Sequence, residues 1–357
     1  LEELSGNMRV SQVMLAAEFG GAERYFVELS RSLAEQGHQV QAICHRRFPA
    51  RGRLTGLANL RLDTVPVAGP WHPWGHGPVL RRLRAFAPDI IHAHMARAAA
   101  FAGRAGARLG VPVVVKLHNY VKLKSYRRVD HFVATTRDQV RYLRDRGIAA
   151  ERVSLIPNFS ALPAAAAPRP PPHGEPVFLS YGRMVTKKGF DVLLQAFADY
   201  VRRFGGGRLV LGGAGPEAAA LRAQAVGLGI EARTEFPGWL SDVPPALARA
   251  DVFVLPSRDE PFGIALLEAM AMGLPIIATR TRGPQEILDP ASAWLVAPGS
   301  APELTSAMEQ LTQDPAEAQR RAARALERFR QAYAAEAVVP RLLDLYQGLV
   351  GRTSPVA

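Results

Sequence analysis

A chain of 357 residues, 48% hydrophobic and 21% charged, is long enough for two ordinary domains, and no apolar run approaches the roughly 20 residues of a membrane-spanning helix. The net charge of +12 lies entirely in the first half: residues 1–160 carry 24 Lys and Arg against 12 Asp and Glu, and residues 161–357 carry 20 of each. The lone cysteine, Cys44, excludes an internal disulfide and suits the cytoplasm, while the basic half would attract an acidic substrate, an anionic lipid surface or nucleic acid unless it is simply a solvated Arg-rich face.

The opening LEELSGN reads as an expression remnant ahead of a natural start at Met8. Met8 to Leu15 is a strand, followed by Gly20-Gly21-Ala-Glu and a helix to about Gln36 that Gly37 ends. Glycines at a strand-to-helix turn let backbone N–H groups approach a phosphate or a reacting oxygen, although tight turns also use glycine for steric reasons alone. Val40 to Cys44 and Leu60 to Val65 read as further strands, with Cys44 a buried small hydrophobe. From Gly69 to Pro78 the sequence GPWHPWGHGP is too rich in Gly and Pro for a regular element. Its tryptophans suit a membrane interface or a sugar-stacking surface, or else pack a loop onto the domain.

Asp89 to His94 (DIIHAH) is a buried strand. His92 and His94 share a face, but no nearby carboxylate or cysteine completes a metal-ligand set. Val111 to Leu117 is another strand, and His118 follows at its carboxyl end, where doubly wound sheets bind ligands. A purely structural histidine is the alternative. Lys116, Lys122, Lys124, Arg127 and Arg128 make this rim the most basic local stretch. Asp130 to Thr135 is a strand, a helix runs to Gly147, and Val153 to Asn158 closes a first domain of residues 8–160.

Residues 161–176, ALPAAAAPRPPPHGEP, cannot build a core; proline makes this a stiff, extended linker between two lobes. A second domain, 177–328, opens with a strand to Arg183, then Lys188-Gly189 and an amphipathic helix. A guanidinium fork and an ammonium at a helix N-terminus form a diphosphate site, with Lys187 a solvent-facing neighbour. Arg208 to Gly213 is a strand ending in a glycine loop, a weak signal alone. Thr234 to Asp242 (TEFPGWLSD) follows, with Asp242 expected to cap the next helix.

Asp251 to Pro256 is a buried strand, Ser257 to Glu260 a polar break, and Pro261 fits a first helical turn. The helix then runs to Met272, apolar or small except at Glu268. Gly273 stops it, and Leu274 to Thr279 is a second strand. Continuous helix would put Glu260 and Glu268 roughly 12 Å apart, too far to share a metal or flank one bond. They would hold two parts of one long ligand. The plainer reading makes Glu260 a charge favoured by the helix dipole and Glu268 a half-exposed polar position. The remainder is helical, with a last segment at 329–350.

Glu260-Pro-Phe-Gly-Ile-Ala-Leu-Leu-Glu268, followed by Ala-Met-Ala-Met-Gly-Leu-Pro, closely resembles the Glu-x7-Glu signature of family 4 retaining glycosyltransferases. The resemblance implies the α/β GT-B fold, two Rossmann-like doubly wound domains facing across a cleft, with 329–350 crossing back to the first. It implies a donor that is a UDP- or GDP-sugar and an acceptor that is a saccharide or lipid-linked hydroxyl. Glu260 would hold sugar hydroxyls and Glu268 the ribose, with Phe262, Gly263 and Ile264 between them at the donor. Gly182-Arg183 and Lys188-Gly189 resemble the element that clamps the distal phosphates. Gly20 and Gly21 resemble the loop facing the diphosphate, Gly213 a strand-end loop near the donor, and Trp239 and Leu240 the region reading the base. His118 would contact a donor-sugar hydroxyl or the acceptor, and His92 and His94 would line the cleft. Glu286 stands where the family has Pro-Glu-Ile, but Gln285 replaces the proline, which puts its role in doubt.

The chain has no Asp-x-Asp, so Arg183, Lys188 and helix ends would neutralise the diphosphate without a metal or other cofactor. Retention would follow from a front-face mechanism. The basic half points to an anionic acceptor or an anionic membrane surface, hence a cytoplasmic enzyme peripheral to the inner face of the membrane, serving lipopolysaccharide, capsule or glycolipid assembly. A nucleotide-sugar epimerase or sugar phosphorylase on the same fold is the rival among enzymes, and a non-catalytic basic nucleic-acid-binding protein the rival from another class. A nucleic-acid partner is not expected, because no recognition motif or aromatic stacking platform accompanies the charge.

Overall fold

The computed structural model describes residues 7–18, 20–66, 76–120, 122–172 and 174–353, the last two as backbone. They form two compact units, one running to Ala161 and resuming at Ala335, the other Leu162–Ala334.

Unit 1 opens with β1 (Arg9–Met14), α1 (Gly21–Glu35), β2 (Gln39–His45), β3 (Leu60–Val65) and α2 (His76–Phe86). It continues with β4 (Ile90–His94), α3 (Met95–Leu109), β5 (Val113–Lys116), β6 (His131–Ala134), α4 (Arg137–Arg144) and β7 (Val153–Leu155). The strands pair in parallel in the order β3-β2-β1-β4-β5-β6-β7. The central strands are almost continuously buried, because helices cover both faces of the sheet. Cys44 is the buried hydrophobe expected, its thiol pushed up to about 12 by burial.

Unit 2 contains β8 (Val177–Tyr181), α5 (Phe190–Phe204), β9 (Arg208–Gly212), α6 (Ala218–Gly227), β10 (Thr234–Glu235), α7 (Pro244–Arg249) and β11 (Val252–Leu255). After these come α8 (Ile264–Ala271), β12 (Ile276–Thr279), α9 (Arg282–Ile287), β13 (Trp294–Val296), α10 (Ala301–Gln313) and α11 (Pro315–Ala332). The parallel order is β10-β9-β8-β11-β12-β13. Alternate strand residues feed two cores: Phe178, Val252, Val254 and Ile277 one, Leu179, Phe253, Leu255 and Ile276 the other. The chain then rejoins unit 1 as α12 (Ala335–Thr353).

In each sheet the order reverses beside the first strand, between β1 and β4 and between β8 and β11. In such doubly wound sheets ligands bind beyond the strand carboxyl ends at that reversal.

Several local expectations change. From Leu162 the proline-rich segment belongs to unit 2, since its few N–H groups are used there: Ala165 donates to Ala271 O at 2.7 Å and Arg169 to Gly273 O at 2.8 Å. The returning helix starts at Ala335, not 329, because Phe329 and Tyr333 pack into the core around α8. Asp242 does not cap α7. Its N-cap is Val243, and Pro244 and Pro245 present no N–H for a capping side chain. Residues 69–75, Trp71 and Trp74 among them, lie outside the described residues, whereas His76–Pro78 open α2.

Candidate functional site

In unit 2 the site begins with how two loops are stitched together. Beyond β8, residues Thr186–Lys188 form a 3-10 turn, and Gly189 enters α5 with φ +65°. A Cβ at Gly189 would lie 2.2 Å from Pro256 O, so only glycine lets this turn pack on the end of β11. Lys187, expected as a mere neighbour, accepts at its carbonyl the N–H groups of Arg258 at 2.8 Å and Asp259 at 3.3 Å. Arg258 also forks onto the Asp191 carboxylate at 2.6 and 2.7 Å, and that hydrogen bonding holds Asp191 below its usual pKa.

These ties bring Lys188 Nζ to 2.6 Å from Glu260 Oε2, to which Ser257 Oγ also donates at 3.3 Å. The pair is largely enclosed, with the lysine side chain 20% and the glutamate 9% exposed. Gly283 N–H fixes the Glu260 backbone through its carbonyl at 2.9 Å. Pro261 and Phe262 precede the helix rather than start it. Gly263, at φ +102°, is the N-cap, and α8 begins at Ile264. The separation reckoned for a continuous helix between Glu260 and Glu268 therefore does not apply.

Glu268 is only 2% exposed, not half-exposed, and accepts a hydrogen bond at 2.5 Å from the Tyr181 hydroxyl at the end of β8. Arg183, two residues beyond Tyr181, is exposed. Gly213, at φ +149°, lies so close to this turn that a Cβ would sit 2.0 Å from Gly182 O, and its N–H donates to Gly238 O at 2.7 Å. Leu240 packs over Gly212, and Trp239 is 39% exposed. Phe262 sinks into the core beside the Tyr333 ring, and Ile264 is half-buried. Arg183, Lys188, Gly213, Glu260 and Glu268, with Trp239 and Leu240, thus gather at the carboxyl ends of β8, β9 and β11, around the reversal of strand order.

Unit 1 brings a second group together. Gly20 is the N-cap of α1, but its N–H already donates to Glu23 Oε2 at 3.0 Å, which leaves Gly21 as the first helical amide. His118 lies half-buried just beyond β5, its ring 5.6 Å from that of Tyr25 on α1. Burial first, then nearby Lys116, pushes the His118 pKa down to about 3, so the imidazole is neutral at physiological pH. Against the expectation of surface-lining histidines, His92 and His94 are both 0% exposed, their rings stacked at 4.5 Å and their pKa values held well below the ordinary value chiefly by burial.

Lys116 leaves the basic rim as well. It is fully buried, donates to Ile156 O at 2.8 Å and Pro157 O at 2.9 Å, and stands 4.6 Å over the Tyr25 ring. Lys122, Lys124, Arg127 and Arg128 remain exposed. Tyr181, Ser257 and Arg258 carry no spacing signal and emerge only from these contacts. Glu286, on α9, is half-buried, and its carbonyl accepts from Arg328 and Tyr333. Among the described residues no three His, Cys, Asp or Glu converge as a metal-ligand set, and no helix is long and apolar enough to cross a membrane.

Residues 164–328 match the family model described as Glycosyl transferases group 1, and residues 19–160 match Glycosyltransferase Family 4. Lipopolysaccharide core biosynthesis glycosyltransferase LpsE of Rhizobium meliloti is 32% identical over 343 residues, spanning 91% of this chain and 95% of the relative. LpsD of the same organism, also a lipopolysaccharide core biosynthesis glycosyltransferase, is 30% identical over 351 residues, spanning 95% and 98%. The fold is that of the GT-B glycosyltransferases, as in Anabaena HepE solved with UDP and glucose: TM-score 0.80, 18% identity, 95% of this chain and 99% of that one.

Proposed function

The chain belongs to this glycosyltransferase family, and from that premise we propose that it transfers a sugar from a UDP- or GDP-sugar to a hydroxyl of a saccharide acceptor of lipopolysaccharide-core type, with retention of anomeric configuration. The observation that carries this reading is the Lys188–Glu260 pair at the strand reversal of unit 2. One ammonium proton goes to Glu260, and among the described residues the other two have no partner, so they remain for phosphate oxygens.

In this reading Arg183 and Lys188 bind the diphosphate and stabilise the charge that develops as it departs. Glu260 holds sugar hydroxyls, Glu268 the ribose, and Trp239 and Leu240 the base. Taken by itself, unit 1 offers Gly21 as a backbone donor and neutral His118 as a hydrogen-bonding contact for a sugar or acceptor hydroxyl. The bond from the anomeric carbon to phosphate breaks and one to the acceptor oxygen forms on the same face, while the departing phosphate oxygen takes the acceptor proton. The names of LpsE and LpsD support the acceptor class, and the UDP and glucose in the HepE complex support the donor class. The positive charge of the first half favours an anionic acceptor or an acidic membrane surface.

A thermal-shift screen with UDP, GDP and their sugars tests the donor; stabilisation by one base is expected, and none by any would overturn the reading. Proton NMR of the product made on a purified lipopolysaccharide core then gives the anomeric configuration. Inversion would overturn retention.

A further inference from the structure

Unit 1 carries a buried row of polar groups across its own strand reversal. Gln12 on β1 pairs in register with His92 on β4, and Met14 with His94. His94 Nε2 lies 2.7 Å from Gln12 Oε1, and His94 Nδ1 lies 3.2 Å from His118 Nε2. The His94 ring is stacked on His92 at 4.5 Å, and His92 Nδ1 bonds the Tyr346 hydroxyl of α12 at 2.5 Å. Gln12, His92, His94 and Tyr346 are all 0% exposed. Burying so many polar groups where apolar ones would pack is costly, which marks the row as serving more than the core. The backbone points the same way. Met95, immediately after His94, adopts φ +70°, a conformation disfavoured for a non-glycine residue, and lets β4 pass straight into α3 with His94 at the junction.

We propose that Gln12 and His94 are positioning residues for His118. A neutral imidazole donates at one nitrogen and accepts at the other. With the Gln12 amide turned so that Oε1 faces His94, that oxygen can only accept, so His94 carries its proton on Nε2 and its Nδ1 accepts from Nε2–H of His118. His118 is thereby held in the Nε2–H tautomer, tied inward. Its Nδ1, which has no partner among the described residues, is the nitrogen presented to a ligand, as an acceptor for a hydroxyl proton. The catalytic consequence rests on the assignment of His118 to the glycosyl-transfer site given above; the tautomer does not.

Nitrogen-15 NMR of the histidine rings in the full chain, with His118 assigned by its loss in His118→Asn, reads the tautomer directly. The expected result is a single Nε2–H form of His118 from about pH 6 to 8, replaced by a tautomer mixture in His94→Phe. Gln12→Met, which keeps shape and removes the acceptor, should do the same and serves where His94→Phe folds poorly. In transfer assays His94→Phe should lower kcat/KM about ten-fold in the wild-type background and less than about two-fold in His118→Ala, because the first side chain acts through the second. An Nδ1–H form of His118, a tautomer unchanged in both variants, or equal losses with and without His118 would overturn the proposal. Full activity of His118→Ala alongside the expected tautomers would instead remove His118 from the transfer site while leaving its positioning established.

Discussion

Lys188 and Glu260, 72 residues apart in sequence, meet at 2.6 Å because Gly189 lets one loop rest on the backbone of the other. The pair fixes where the ammonium stands before any ligand arrives, and such preorganisation is what makes a cation effective against developing charge.

Lys188→Ala should therefore lower kcat by about 10²–10³-fold. Lys188→Arg should recover only part of this, since a planar fork does not reproduce a compact point charge beside Glu260. Steady-state kinetics check both; a loss confined to KM would contradict a role in leaving-group stabilisation.

Tyr181→Phe removes the hydroxyl that orients the buried Glu268 carboxylate. Hydrogen bonds to charged groups contribute about 1.5–3 kcal/mol, so the donor KM should rise at least about ten-fold with kcat little changed. Calorimetric titration with the nucleoside diphosphate should show the same weakening, and unaltered affinity would separate Glu268 from the ribose.

Gly189→Ala and Gly205→Ala make a matched pair at the two ends of α5. Both glycines have positive φ, +65° and +76°, but a Cβ meets Pro256 O at 2.2 Å in the first and nothing within 4 Å in the second. Each substitution costs roughly 1–2 kcal/mol for the left-handed backbone. Only Gly189→Ala should also displace Lys188 and depress turnover, by about ten-fold or more. Equal activities of the two variants would contradict the stitching described.

Acid should destabilise unit 1. His92, His94 and His118 are held below the unfolded-state pKa of about 6.5, so the unfolded chain takes up protons that the native state refuses as pH falls past that value. Their contribution is complete above about 6.5 and declines as the pH falls below that, for His118 down to about 3, by up to about 1.4 kcal/mol per pH unit for each histidine. Thermal midpoints should be lower at about pH 5 than at about pH 7.5, and a flat profile would contradict the buried neutral cluster.

Chelation should not stop transfer if Arg183 and Lys188 neutralise the diphosphate. EDTA is expected to change the rate by less than about two-fold. Loss of activity restored by a divalent cation would overturn that assignment.

Periodicity, composition and turn chemistry are local properties. Gly20-Gly21, the run from Asp251 to Thr279 and the apolar strand around His92 were therefore legible in the sequence, as was the wording of Glu260 to Glu268 that carries the resemblance to a glycosyltransferase family. Partnerships between distant residues were not. The hydroxyl on Glu268 comes from 87 positions away, and Lys188 reaches Glu260 only because β8 and β11 become neighbours where the strand order reverses. Alternation on β4 put His92 and His94 on one face. It could not say that α12, arriving from Ala335, would place Tyr346 on that face and bury two histidines expected to line a cleft. A residue's face on a strand follows from its own neighbours in sequence, but what covers that face follows from the order in which the whole chain is laid down.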